Sequence, residues 1–131
     1  MNNRLLKEAL RIARERNTPS RHPEYGNFHH FSFGVQYNKI LGFATNTSGV
    51  VKYGGFYTPL SKSHAEANVF SKIVGILDRD APFELINIRL NKSSEMKLSK
   101  PCKCCYQFLL TMGCSKVWYS CNEGNFLCQI L

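Results

Sequence analysis

Acidic side chains are scarce in this sequence. Nine Asp and Glu face seventeen Lys and Arg, a formal net charge of +8. That excess favours a polyanionic partner such as nucleic acid or a nucleotide phosphate, although such a charge also simply keeps a small protein in solution. Long apolar runs are missing too, which excludes a helix that spans a bilayer, and no membrane partner is expected. The first residues, Met1-Asn-Asn-Arg-Leu-Leu-Lys-Glu, lack the apolar core and small-residue cleavage site of an export signal. No internal repeat is present. The expectation is one domain, residues 1–131, in an intracellular (cytoplasmic or nuclear), reducing compartment. Hydrophobic residues make up 44%, enough for a real core without disulfide staples. The six cysteines should therefore stay as thiols or bind metal.

Hydrophobic periodicity organises the chain. Leu5, Leu6, Ala9, Leu10, Ile12 and Ala13 recur at helical steps over residues 3–15. Residues 17–28, with two prolines and a glycine, read as a loop. The period then becomes two: Phe31, Phe33, Val35 and Tyr37 share one strand face, and Ile40–Ala44 returns after a turn at Asn38-Lys39. Residues 46–63, rich in Gly, Ser, Thr and Pro, read as a long loop, a type that is usually functional. A helix over 64–77 follows, with Ser63 as its expected cap. Residues 83–90 alternate like a strand, and residues 91–100 read as a polar connector. A second helix over 102–112 has Pro101 at its start and Gly113 past its end. Two short strands, "SKVWYS" and "FLCQIL", close the chain around the "CNEGN" turn.

Two short patterns carry chemistry. His64-Ala65-Glu66 opens one helix, and Pro101-Cys102-Lys103-Cys104-Cys105 opens the other. Each alone is weak. Together they supply one imidazole and two thiols, with Cys102 and Cys105 three apart and facing the same way. A helix N-terminus favours the thiolate that a metal needs. Three protein ligands leave a tetrahedral position open for water, and Glu66 stands two residues from the His64 ligand.

These residues resemble the zinc-dependent cytidine deaminase-like superfamily, whose signature is H-x-E with P-C-x-x-C. The element order follows that family over residues 29–120, and "NKSSEMKLSKPCKCCYQFLLTMGCSKVWYS" looks like small viral and phage nucleobase deaminases. The resemblance implies a three-layer α/β/α fold with a mixed five-stranded sheet whose last two strands are antiparallel. It implies Zn2+ held by His64, Cys102 and Cys105, with Glu66 as the catalytic proton carrier. It also implies that Ala65, Ser99 and Lys100 line the base and that Asn46 contacts base or sugar. Lys100 before Pro101, the extra thiol Cys104, and Tyr106-Gln107 depart from the pattern of many relatives. Relatives often form dimers or tetramers, so a homo-oligomer is admitted.

Blander readings compete. A structural zinc could be closed by Cys104 or Cys114, but Cys104 follows a different helix face. A redox C-x-x-C leaves H-A-E unexplained. Cys114, Cys121 and Cys128 are expected as small buried residues, Phe31 and Phe33 as core, and His29 and His30 as strand-surface residues. Only eleven residues follow Ser120, too few for a helical crossover, so the last strand must return antiparallel. Within the family that favours cytosine over adenine. Arg16, Arg21, His22, Lys52, Tyr53, Phe56, Tyr57 and Lys62 mix charge with aromatics, as single-strand grooves do. The favoured reading is cytosine deamination in a nucleotide or single-stranded nucleic acid. The alternatives are a free cytidine or deoxycytidine deaminase, and a non-catalytic zinc-stabilised nucleic-acid-binding module.

Overall fold

The computed structural model describes residues 1–17, 28–48, 52–53, 56–57, 62–63 and 65–131. His64, Arg21 and His22 lie outside the described residues.

Helix α1 (Asn3–Arg16) is capped by Asn2, whose side-chain oxygen accepts the Leu5 N–H at 3.0 Å. Leu5, Leu6, Ala9 and Ala13 form its buried stripe. Strands β1 (Phe28–Gln36) and β2 (Lys39–Thr45) form the expected antiparallel hairpin. Its turn falls at Tyr37-Asn38, one residue earlier than expected, because both residues take positive φ, 54° and 57°. Two successive positive φ values match the twist of the flanking strands. Asparagine tolerates that conformation, and Tyr37 is held in it by a hydrogen bond from its hydroxyl to the Asp78 carboxylate.

Among its described residues, the expected loop over 46–63 carries four short strands. β3 (Thr47–Ser48) pairs with β6 (Lys62–Ser63), and β4 (Lys52–Tyr53) pairs with β5 (Phe56–Tyr57). Two residues per strand are too few to show a period in the sequence. The outer ladder matters for the site: the chain leaves just after Asn46 and returns at Ser63 on the partner strand. Ser63 lies in β6, and helix α2 (Ala65–Ile73) starts two residues later, so Ser63 does not hold the cap position. α2 also ends before the expected Leu77, in a run that contains the poor helix former Gly75, although Leu77 N–H still reaches the Ile73 carbonyl at 3.0 Å.

Strand β7 (Phe83–Asn91) is followed by more than a polar connector. β8 (Met96–Lys97) folds back antiparallel on β7, with Met96 buried. Helix α3 (Lys103–Met112) begins one residue later than expected: Cys102 is its cap and Pro101 precedes the helix. Gly113, at φ 92°, ends it by donating to the Leu109 and Leu110 carbonyls. Strand β9 (Cys114–Ser120) runs parallel to β7, and β10 (Phe126–Ile130) returns antiparallel to β9 as expected.

The main sheet has the order β10-β9-β7-β1-β2, and β8 adds a sixth strand beside β7. Alternation divides it into two cores. Phe31, Phe33, Val35, Ile86, Ile88 and Leu90 pack with α1. Ala44, Phe83, Leu85 and Val117 pack with Val69, Phe70 and Ile73 of α2 and with Phe108 and Leu109 of α3. The result is three layers, helix, sheet, helix. α2 approaches β1 so closely that a Cβ on Gly34 would run into the Ile73 side chain.

Two burial expectations fail. His29 is buried, tilted against Phe31 with ring centroids 4.3 Å apart, because it joins the aromatic stripe on the α1 face. Cys128 is exposed, because it lies on the edge strand β10. Among the described residues no helix is long and apolar enough to cross a membrane.

Candidate active site

Helices α2 and α3 pack on the same face of the sheet and share one core. Glu66 lies in the first turn of α2, where a carboxylate complements the exposed N–H groups. It is buried, 6% exposed, yet it is not left without compensation. Its Oε2 accepts a hydrogen bond from Asn87 Nδ2 at 3.1 Å. Asn87 comes from the middle of β7, a central strand.

Cys102 caps α3 with a sulfur. Its backbone is extended (φ −70°, ψ 165°), and its Sγ accepts the Cys105 N–H at 3.5 Å. Cys102 is exposed and Cys105 buried. The Cys105 thiol is pushed far above its ordinary range, first by its hydrogen bond with Cys102, then by burial, then by the Glu66 charge. So the Glu66 carboxylate and both thiols belong to one electrostatic neighbourhood at two helix N-termini. The two thiols are donors of the kind that would hold a soft divalent cation in place of their protons. Among the described residues no three His, Cys, Asp or Glu side chains are arranged to hold a metal. The third member of the expected set, His64, immediately precedes α2 in sequence and lies outside them.

The other expected site residues are placed as follows. Ala65 is buried at the start of α2. Asn46 follows β2, half-buried, and its Oδ1 accepts the His30 N–H at 3.1 Å. That bond fixes the side chain across the hairpin. Lys100 is exposed. Ser99 is buried, and its hydroxyl is used within the protein: it donates to the Asn87 carbonyl at 2.8 Å and sits 2.8 Å from Ser120 Oγ.

Three residues of this constellation are not among the site residues expected from the sequence: Ser32, Asn87 and Ser120. All are buried and polar. Ser32 Oγ donates to Asn87 Oδ1 at 2.7 Å. Ser120 Oγ donates to the Lys97 carbonyl at 2.7 Å, and its N–H donates to Ser99 Oγ at 2.8 Å. A signal was available for Asn87. Strand alternation aligns it with Phe83 and Leu85, and an amide on an apolar face demands partners.

A second feature lies at the β2 edge. An open cleft of about 310 Å³ is lined by Arg16, His29, Phe43, Ala44, Thr45 and Lys72. The Arg16 guanidinium lies 5.7 Å and the Lys72 ammonium 6.0 Å from the centroid of the Phe43 ring. Lys72 also donates to the Phe43 carbonyl at 3.1 Å. Among the described residues neither cation meets a carboxylate. The cleft carries a local excess of positive charge.

No protein-family model and no curated protein sequence matches the chain. Solved structures do. A cytidine deaminase from Burkholderia pseudomallei superposes with a TM-score of 0.63 at 19% identity, over 99% of this chain and 93% of that one. A dCMP deaminase from the cyanophage S-TIM5 gives 0.60 at 19% identity, over 91% and 84%. A cytidine deaminase from Mycobacterium leprae gives 0.55 at 19% identity, over 99% and 94%. The chain has the cytidine deaminase-like fold. In this chain the sheet is mixed, three helices among the described residues cover its two faces, and H-A-E and P-C-x-x-C stand in sequence at the starts of α2 and α3. At such low identity the likeness extends to the fold and stops there.

Proposed function

We propose that this chain is a zinc-dependent deaminase that converts cytosine to uracil in a nucleotide or single-stranded nucleic acid. The observation that carries the reading is the buried Glu66 carboxylate, bonded to Asn87 and within electrostatic reach of the Cys105 thiol. Zinc held by His64, Cys102 and Cys105 would supply Lewis-acid activation of a water near neutral pH. The protein's own work is proton movement and orientation. Glu66 takes a proton from the attacking water and delivers it to N3 of the ring. It then takes the second proton from the oxygen now bonded to C4 and passes it to the amino group, which leaves as ammonia as the C4 carbonyl forms. Water and cytosine are consumed; uracil and ammonia are released. Ala65 and the 99–100 segment would border the base, and Asn46, already anchored to the hairpin, would present its amide to base or sugar.

A phosphate on the substrate is supported by two findings. One is the cationic cleft of Arg16 and Lys72. The other is that the cyanophage deaminase has also been solved with dCMP and dUMP, and that structure superposes with a TM-score of 0.59 at 17% identity. The antiparallel β9–β10 pair favours a second reading, a free cytidine or deoxycytidine deaminase, the activity that names two of the structural neighbours.

The decisive experiment measures uracil formation and ammonia release from dCMP, cytidine and a cytosine-containing oligonucleotide. Turnover of a phosphate-bearing substrate, abolished in Glu66→Ala with zinc still bound, is expected. Turnover of cytidine alone would select the second reading. Zinc-loaded protein that turns over none of the three would end both.

A further inference from the structure

We infer that Asn87 is the positioning residue for Glu66, and that Ser32 sets the direction in which the Asn87 amide faces. The inference rests on the reading of Glu66 as the proton carrier.

Alternation on β7 gives Asn87 the position of an apolar residue. Phe83 and Leu85 on its face belong to the core under α2 and α3, while Ile86, Ile88 and Leu90 face α1. Asn87 is 3% exposed. A buried amide is costly unless its donors and acceptor are all used. Here they are. Nδ2 donates to Glu66 Oε2 at 3.1 Å and to the Ser99 carbonyl at 3.4 Å, and Oδ1 accepts from Ser32 Oγ at 2.7 Å.

Proton counting makes this orientation the only consistent one. A carboxylate and a carbonyl carry no hydrogen to give, so the side of the amide facing them must be the NH2. The opposite side is then the oxygen, which needs a donor, and the Ser32 hydroxyl supplies one. An amide turned the other way would set oxygen against oxygen at Glu66. Ser32 therefore acts on Glu66 through Asn87.

The same asparagine ties the carboxylate to the cysteine segment. Its backbone carbonyl accepts the Ser99 hydroxyl at 2.8 Å, and Ser99 stands three residues before Cys102. Ser99 is in turn locked to β9, with its N–H on the Ser120 carbonyl at 3.0 Å. One residue of a central strand thus holds both the proton carrier and the approach to the sulfur cap in register. Loss of a partner that orients a site residue typically lowers activity about 10–100-fold.

The test compares Asn87→Leu, Ser32→Ala and their double variant with the unmodified, zinc-loaded protein. Leucine keeps the volume and suits the apolar face, so the fold and zinc stoichiometry should survive. The expected result is a fall in kcat of about 10–100-fold for Asn87→Leu, with KM within about twofold. Ser32→Ala should lose less, Ser32→Thr should restore activity, and the double variant should match Asn87→Leu alone, because Ser32 has no route to Glu66 without the amide. A second readout needs no turnover: the Asn87 side-chain NH2 resonances should shift in Glu66→Gln and in Ser32→Ala. Full kcat in Asn87→Leu, additive losses in the double variant, or unmoved resonances would each overturn the inference. If the unmodified protein turns over substrate and Glu66→Gln does not, such a result refutes the role of Asn87 and leaves the deaminase reading standing. An inactive unmodified protein refutes that reading itself.

Discussion

Cys102 has two jobs that a single substitution can separate. Its sulfur caps α3 through the Cys105 N–H, and it is a proposed zinc ligand. Serine is among the better N-cap residues, so Cys102→Ser keeps the cap while it removes the soft donor. Unfolding measurements on metal-free protein should therefore move by no more than about 0.5 kcal/mol. Zinc retained after dialysis should fall sharply in the same variant. Tight zinc in Cys102→Ser would remove Cys102 from the ligand set. At the other end of the molecule, the Tyr37 hydroxyl lowers the Asp78 pKa from its ordinary 3.8, with help from the Asp80 N–H. A depressed carboxylate adds stability above its unfolded pKa and loses it as pH falls through the lower folded value. The same bond raises Tyr37 above 10.0, so its share is present below that pH and is lost as pH climbs past it. Tyr37→Phe should flatten both limbs of a plot of Tm against pH. Both groups are fully exposed, so the change will be small.

Between elements, one close constraint is the seat of α2 on β1. Gly34 offers no Cβ where Ile73 reaches down, and Ile73 is itself buried with little room to turn. Gly34→Ala should destabilise by roughly 1–3 kcal/mol, the usual range for overpacking. Valine lacks the Cδ1 atom that meets the added carbon. Ile73→Val in the Gly34→Ala background should therefore recover stability, although Ile73→Val alone should cost about 0.5–1.5 kcal/mol. Denaturant midpoints of the four proteins close the cycle, and simple additivity would disprove the contact. This contact also shows what could be read in advance. Long periodic runs gave α1, β1, β7 and α3 to within a residue or two, because burial of one stripe dictates their period. The H-A-E and P-C-x-x-C patterns pointed to the right helix starts. The short strands β3–β6 and β8 were hidden, since two-residue ladders leave no periodic trace. Ser32 and Ser120 were hidden for another reason: their partners are up to 55 residues away in sequence, and only the sheet order brings them together; Asn87 alone left a trace, as an amide on the apolar face of β7.

The charge of the whole molecule reaches its partners through particular places. A net +8 on 131 residues raises local anion concentration everywhere, but the Phe43 cleft gathers two cations on one ring. Arg16 arrives from the C-terminal end of α1 on one face of the sheet. Lys72 arrives from α2 on the other, around the β2 edge. A phosphate there would relieve their mutual repulsion, whereas a neutral nucleoside would not. The double variant Arg16→Ala/Lys72→Ala should therefore raise KM for dCMP or a cytosine oligonucleotide several-fold and leave KM for cytidine unchanged. Each side chain is exposed, so stability should change by less than about 0.5 kcal/mol. Oligonucleotide affinity plotted as log K against log salt should also lose slope, by about 0.7 for each phosphate contact removed. If KM rises equally for cytidine, the cleft shapes the protein and not the substrate's charge. If the salt slope is flat from the start, the +8 serves solubility, and the phosphate-bearing reading gives way to the free nucleoside.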